Sequence, residues 1–153
     1  MKKIVSSLLV LCMALALTAC GGKEQTLVLR SEQEQNGLTM VDTMTLEAKG
    51  DKIQKMKEVI ELDMSSFDET QQTTLVAVYD EMVNSYNSVD GVTATGEGGE
   101  GTYTINVEID TTGDAVSKLA EQGLLQITGN ADGALSLKAT KEALTGSGYT
   151  VVE

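Results

Sequence analysis

The chain contains no histidine and two cysteines, Cys12 and Cys20, so its chemically capable side chains are carboxylates, hydroxyls, lysine amines and thiols. Ser-His-Asp and Cys-His nucleophile arrangements and imidazole zinc sites are thereby excluded. No Ser-x-x-Lys occurs, and Gly146-Ser147-Gly148 lacks the spacing of a nucleophile elbow, Gly146 reading instead as a helix C-cap. Paired carboxylates remain, as in glycoside hydrolysis, where one acid protonates the leaving group and its partner attacks or activates water. Glu97 with Glu100, or Glu58 with a neighbour on an adjacent strand, are the pairs to consider, although a solvated carboxylate is the default in so acidic a chain. Sugar sites also favour aromatic platforms, and after residue 20 the aromatics are only Phe67, Tyr79, Tyr86, Tyr103 and Tyr149. Gly96, Gly98 and Gly101 spell Gly-x-Gly-x-x-Gly, but a phosphate cradle needs a helix N-terminus after the glycines, and here an alternating strand pattern follows. Glu97 and Glu100 would also repel a pyrophosphate, so Gly96–Gly101 is expected to be a mobile hairpin loop. Asp110-Thr111-Thr112-Gly113-Asp114 and Asn130-Ala131-Asp132-Gly133 are oxygen-rich, but neither continues to the closing Glu of a calcium loop, so an N-cap and a turn are expected. Met40 and Met44, four apart in a strand, lie ~13 Å from each other, too far to share a soft metal. No cofactor, metal or catalytic residue is expected.

Cys20 is different, because its setting predicts chemistry done to it. Met1 is followed by Lys2 and Lys3, then an apolar run from Ile4 to Leu17, then Thr18 and Ala19 before the cysteine. This is the order of a secretory signal, and the run is shorter than the ~20 residues of a bilayer-spanning helix. Leu17-Thr18-Ala19-Cys20 resembles the lipobox of bacterial lipoproteins, which implies cleavage between Ala19 and Cys20 and a diacylglycerol thioether on Cys20. A thiolate is the strong side-chain nucleophile for such a transfer, and two acyl chains give stable anchoring where one is marginal. Residues 1–19 are therefore expected to be the signal peptide, 20–25 the lipidated cysteine with a short linker, and 26–153 one domain. The linker reaches at most roughly 17 Å, which would hold the domain close to the membrane. The expected address is the extracytoplasmic face of the cell membrane. Gly21 carries no inner-membrane retention acid, so an outer membrane stays open if the host has one.

From Cys20 to Glu153 the chain has 134 residues, enough for one ordinary core, and no thiol left for a disulfide. Nine Lys and Arg stand against 23 Asp and Glu there, a formal charge of −14. Such a surface repels nucleic acid and anionic headgroups and favours cationic partners or divalent ions, beyond its contribution to solubility.

The elements that must position these groups follow from periodicity. Strands are expected over Thr26–Glu32, Leu38–Lys49 and Lys52–Met64, broken by the turn signals Asn36-Gly37 and Gly50-Asp51. In the second strand Leu38, Met40, Met44 and Leu46 share one face, and Thr39, Thr43, Thr45 and Glu47 the other. Ser66 with Glu69 reads as a capping box for a helix over Phe67–Asn87, in which Leu75, Tyr79, Met82, Val83 and Tyr86 recur at helical spacing. Strands return at Gly91–Thr95 and Thr102–Asp110, the latter with Tyr103, Ile105, Val107 and Ile109 alternating with polar residues. Asp114 is expected to cap a short helix ending near Gly123, Ser136 another ending at Gly146, before a last extended segment, Tyr149–Glu153. The fold class is α+β, an antiparallel sheet of about six strands with one long and two short helices packed on one face.

In their order, the lipobox, Gly50-Asp51-Lys52-Ile53-Gln54-Lys55, the long helix ending in Tyr86 before Gly91-Val92, and Ser136-Leu137-Lys138-Ala139-Thr140-Lys141-Glu142-Ala143-Leu144 with Gly148-Tyr149 resemble the YehR-like lipoproteins. The resemblance spans nearly the whole chain after the cysteine, with Gly96–Gly101 outside its pattern. It implies a small membrane-anchored α+β domain outside the cytoplasm, and it supplies no site, because the family is one of unknown function. The expected role is a non-catalytic binding module for an envelope or extracellular protein or peptide, a cationic one by charge. The alternative is an accessory subunit of an envelope complex, with a carboxylate-based hydrolase a distant third.

Overall fold

The computed structural model describes residues 22–125 and 134–152. Ala19, Cys20 and residues 130–133, where a turn is expected, lie outside the described residues. Nine elements follow in order: β1 (Glu24–Gln35), β2 (Leu38–Lys49), β3 (Lys52–Asp63), α1 (Glu69–Asn87), β4 (Val92–Gly99), β5 (Thr102–Asp110), α2 (Ala115–Glu121), α3 (Leu137–Gly146) and β6 (Thr150–Val151). The strands form one antiparallel sheet in the order β4-β5-β3-β2-β1-β6. Together with the three helices this is the expected α+β architecture. Among the described residues no helix is long and apolar enough to cross a membrane.

Alternation builds the core. Leu29 on β1, Met44 on β2, Val107 on β5 and Ala94 on β4 fall in one cross-strand row, and all are buried on the face that the helices cover. Val83 and Tyr86 of α1, Val116 and Leu119 of α2 and Leu135 before α3 complete this layer. The opposite face carries Thr43, Thr45, Thr93, Thr95 and the exposed ion pairs Lys55–Glu108 and Lys57–Glu47, each 2.8 Å. Pairs so open to water add little stability.

Turn chemistry sets the register. Asn36 (φ 53°) and Gly37 (φ 86°) make the expected two-residue hairpin turn, whose left-handed dihedrals match strand twist. Between β2 and β3 the register shifts at Glu47/Ala48, because Gln54 is an extra residue on β3. Without this bulge the turn at Gly50-Asp51 would place Glu58 opposite Thr43 on the outer face. With it, Glu58 lies opposite Met44 and faces the core.

Several boundaries differ from expectation. β1 begins at Glu24, so Glu24 and Gln25, expected in the linker, pair with Lys49 and Ala48. The cap of α1 is Asp68 rather than Ser66. Asp68 Oδ1 accepts from Gln71 N–H (2.9 Å), and Gln71 Oε1 accepts from Asp68 N–H (3.1 Å). Ser66 Oγ instead donates to the Gly37 carbonyl. Asp114 makes no capping bond; its carboxylate sits 3.0 Å from Lys118. Ser136 caps α3 as expected, but Gly146 is the last helical residue, and Gly148 (φ 99°) takes the left-handed conformation after it. The final strand is only Thr150–Val151.

Candidate functional site

The largest correction concerns the glycines. Gly96, Gly98 and Gly99 are not a loop but the second half of β4, and the turn is only Glu100 (φ 40°) and Gly101 (φ 84°). A Cβ on Gly96 would sit 1.9 Å from Tyr103 Oη, and one on Gly98 would sit 2.6 Å from the same ring. Two glycines at alternate positions therefore make room for one aromatic ring lying across the strand. That ring stacks on Tyr79 of α1 with centroids 6.1 Å apart, and its hydroxyl donates to Asp80. Burial and the Asp80 carboxylate push the Tyr103 hydroxyl up to about 12.

Between the N-terminal half of α1 and this glycine strand lies an open cleft of about 470 Å³. Glu69, Asp80 and Glu100 line it, and no lysine or arginine does. Glu97, the other half of the pair considered from sequence, does not reach it. This asymmetry has a sequence signal that composition alone conceals. Between Lys57 and Lys118 there is no Lys or Arg, while 13 Asp and Glu occur there. That stretch supplies α1, β4 and β5. The cations gather elsewhere. Lys23, Lys49, Lys52, Lys138 and Lys141 lie around the β2–β3 turn, where Gly50 N–H donates to the Lys23 carbonyl and Lys138 N–H to Asp51. A second cleft of about 330 Å³ there is lined by Asp51, Lys138 and Lys141. The sheet is thus electrically polar along its strands: cations sit at the end where the chain enters, and the acidic cleft lies at the other, roughly 35 Å away by strand rise.

Glu58 does meet a partner carboxylate, and it is Asp42. The sequence reading missed Asp42, which sits buried on the core face of β2 between Met40 and Met44. Asp42 Oδ2 accepts from the Tyr149 hydroxyl at 2.5 Å, tying the segment after α3 to the middle of the sheet. Asp42 Oδ1 is buried with no donor among the described N–H and hydroxyl groups. Desolvation, the Asp42 charge and the bond between the two carboxyls push Glu58 up to about 8, so Glu58 keeps its proton at neutral pH. Tyr149 is raised by burial and by the same carboxylate, and Tyr86, whose hydroxyl donates to the Leu124 carbonyl, is pushed up to about 12. A protonated, half-buried Glu58 beside the buried Asp42 could in principle serve as a general acid. Neither of the two clefts above is lined by Asp42 or Glu58; a third, of about 250 Å³, is lined by Glu58 with Lys57, Thr93, Thr95 and Glu108, and Asp42 does not line it, so none of the three holds both carboxyls.

The oxygen-rich loop before α2 is already engaged. Asp110 Oδ1 accepts from the Thr112 N–H and hydroxyl, which holds its pKa below the usual range, and Asp114 is held low by Lys118. Among the described residues no cluster of three acids, cysteines or histidines is arranged to hold a metal.

The molecule is thus an α+β protein whose helices gather on one face of a six-stranded antiparallel sheet, with an acidic cleft at one end. It has the YehR-like fold. The NMR structure of Escherichia coli YehR is similar at 16% identity, covering 84% of this chain and 92% of that one with a TM-score of 0.61. An NMR structure of a protein from Streptococcus pneumoniae TIGR4 is similar at 11% identity, covering 99% of each chain with a TM-score of 0.53. No family model and no curated protein matches the chain.

Proposed function

We propose that this chain is a lipoprotein of the YehR-like family, anchored through Cys20 on the extracytoplasmic face, and that it acts as a non-catalytic binding module for a basic protein or peptide. The observation that carries the reading is the acidic cleft, walled by Glu69, Asp80 and Glu100 with no cation among its lining residues. Anchoring supports the same picture. A lipid on Cys20 would hold the lysine-bearing end of the sheet toward the bilayer and leave the cleft facing away, within reach of a soluble partner. Electrostatic attraction of this kind speeds association and selects partner sign more than it adds affinity.

Crosslinking in the native membrane followed by mass spectrometry tests the role, with Cys20→Ala as the control for the address. The expected result is a reproducible basic partner held by the wild-type chain, and loss of Cys20→Ala from the membrane fraction. Recovery of one fixed assembly of acidic or neutral subunits would favour the accessory role instead. Retention of Cys20→Ala in the membrane would refute the anchor.

A further inference from the structure

The cleft has a second property that charge does not describe: one wall is an unpaired strand edge. Asn87, at the end of α1, clamps the outer edge of β4 by donating its amide to the Ala94 carbonyl and accepting the Ala94 N–H, both at 2.8 Å. Ala94 therefore turns its backbone groups away from β5. In an antiparallel ladder residues alternate between facing the partner strand and facing away, and the β4–β5 register runs from Val92↔Ile109 to Gly99↔Thr102 without a shift. Gly96 and Gly98 consequently face the same way as Ala94, as does Val92, whose N–H turns outward to the Val89 carbonyl (3.1 Å). Asn87 satisfies Ala94 and Val89 satisfies Val92, but the N–H and C=O groups of Gly96 and Gly98 have no partner among the described residues.

Edge strands are ordinarily blunted by charge, proline, bulges or a covering element. Here the covering stops at Ala94, and beyond it the edge carries glycine at every inward position. We propose that the Gly96–Gly99 edge of β4 receives an extended lysine- or arginine-bearing peptide segment as an added strand, with Glu69, Asp80 and Glu100 holding its basic side chains. This rests on the basic-ligand reading above and adds to it the mode of recognition. Strand addition draws affinity from main-chain hydrogen bonds and specificity from side-chain pockets, and this edge offers both. The length fits about four residues, ~13 Å of strand. A second copy of this chain is a poor occupant, because pairing edge to edge would set Glu69, Asp80 and Glu100 against their own copies.

The experiment uses the full chain, ¹⁵N-labelled, in uncharged detergent micelles, titrated with an alternating lysine–valine octapeptide. Two N-methylated isomers of that peptide follow, each blocking one of its two edges. We expect the parent peptide to protect the Gly96 and Gly98 amides from hydrogen exchange, and one isomer to bind about tenfold or more weakly while the other binds as the parent does. If both isomers match the parent and the two amides exchange unchanged, strand addition is wrong while the basic-ligand reading stands. No binding of any lysine peptide removes both. Protection that appears without peptide and grows with protein concentration would overturn the proposal in favour of self-association.

Discussion

Raising the pH from mildly acidic to mildly alkaline is expected to destabilise this protein through Glu58, by on the order of 3 kcal/mol. The folded state holds the Glu58 proton more tightly than the unfolded chain does, since burial and the Asp42 charge raise its pKa from 4.5 to about 8. Between those values the folded state binds more protons, so stability falls as pH rises. The contribution is fully present below 4.5 and is lost once pH passes about 8. Asp42 on β2, Tyr149 after α3 and Tyr86 on α1 are the other titratable groups that act on this site, and both tyrosines hold their protons throughout the window. Glu58→Gln separates this effect from the general repulsion of an acidic surface. Its amide can donate to Asp42 Oδ1 at every pH, so urea titrations should give a flatter stability profile and a variant about 2 kcal/mol or more stable than wild type at alkaline pH. An unchanged slope in Glu58→Gln would show that the surface, not this pair, sets the pH response.

Tyr103→Ala is expected to cost about 3–5 kcal/mol, since it removes the ring that fills the space between the glycine strand and α1. Tyr103 is buried, stacks on Tyr79 and bonds to Asp80, so the loss loosens the α1 wall of the cleft as well as the core. The same geometry makes a second variant informative. Gly96→Ala alone should cost about 1–3 kcal/mol, because its Cβ would clash with the Tyr103 hydroxyl and ring. In the Tyr103→Ala background that clash is gone, and the alanine should be close to neutral. Thermal or urea unfolding of the four proteins of this cycle should therefore give a coupling of about 1–3 kcal/mol, the whole cost of Gly96→Ala. Additivity would mean that the glycines serve the strand and not the ring.

Much of the fold was legible because local signals agreed. Tyr103, Ile105, Val107 and Ile109 alternate without interruption, Asn36-Gly37 is a favoured hairpin turn, and Ser136 caps α3 with its own hydroxyl. The elements that escaped are those decided by partners distant in the chain. Glycine is poor in strands by propensity, so Gly96–Gly99 read as a loop; only the ring of Tyr103 across the hairpin explains them. The pairing of Glu58 with Asp42 depends on the bulge at Gln54, which reverses the face of every later residue in β3. A trace of it was present: Ile53 and Met56 are both apolar at an odd spacing, while Ile60 and Leu62 continue from Met56. Asp42 itself was hidden inside a hydrophobic face, where alternation marks the position as buried while the residue type suggests otherwise. The run between Lys57 and Lys118 without a basic residue was fully visible, but only as a distribution, not in the net charge.

The measurement that tests the central claim most directly is titration of the full chain with a lysine-rich peptide at several salt concentrations, repeated with Glu69→Lys/Glu100→Lys. Both residues line the cleft and make no charged pair among the described residues, so reversing them should leave the fold intact. An affinity that falls steeply with salt in the wild type, with the variant about tenfold or more weaker and less sensitive to salt, is the predicted result. Equal binding by the two proteins, with the same response to salt, would place any basic ligand elsewhere and contradict the account.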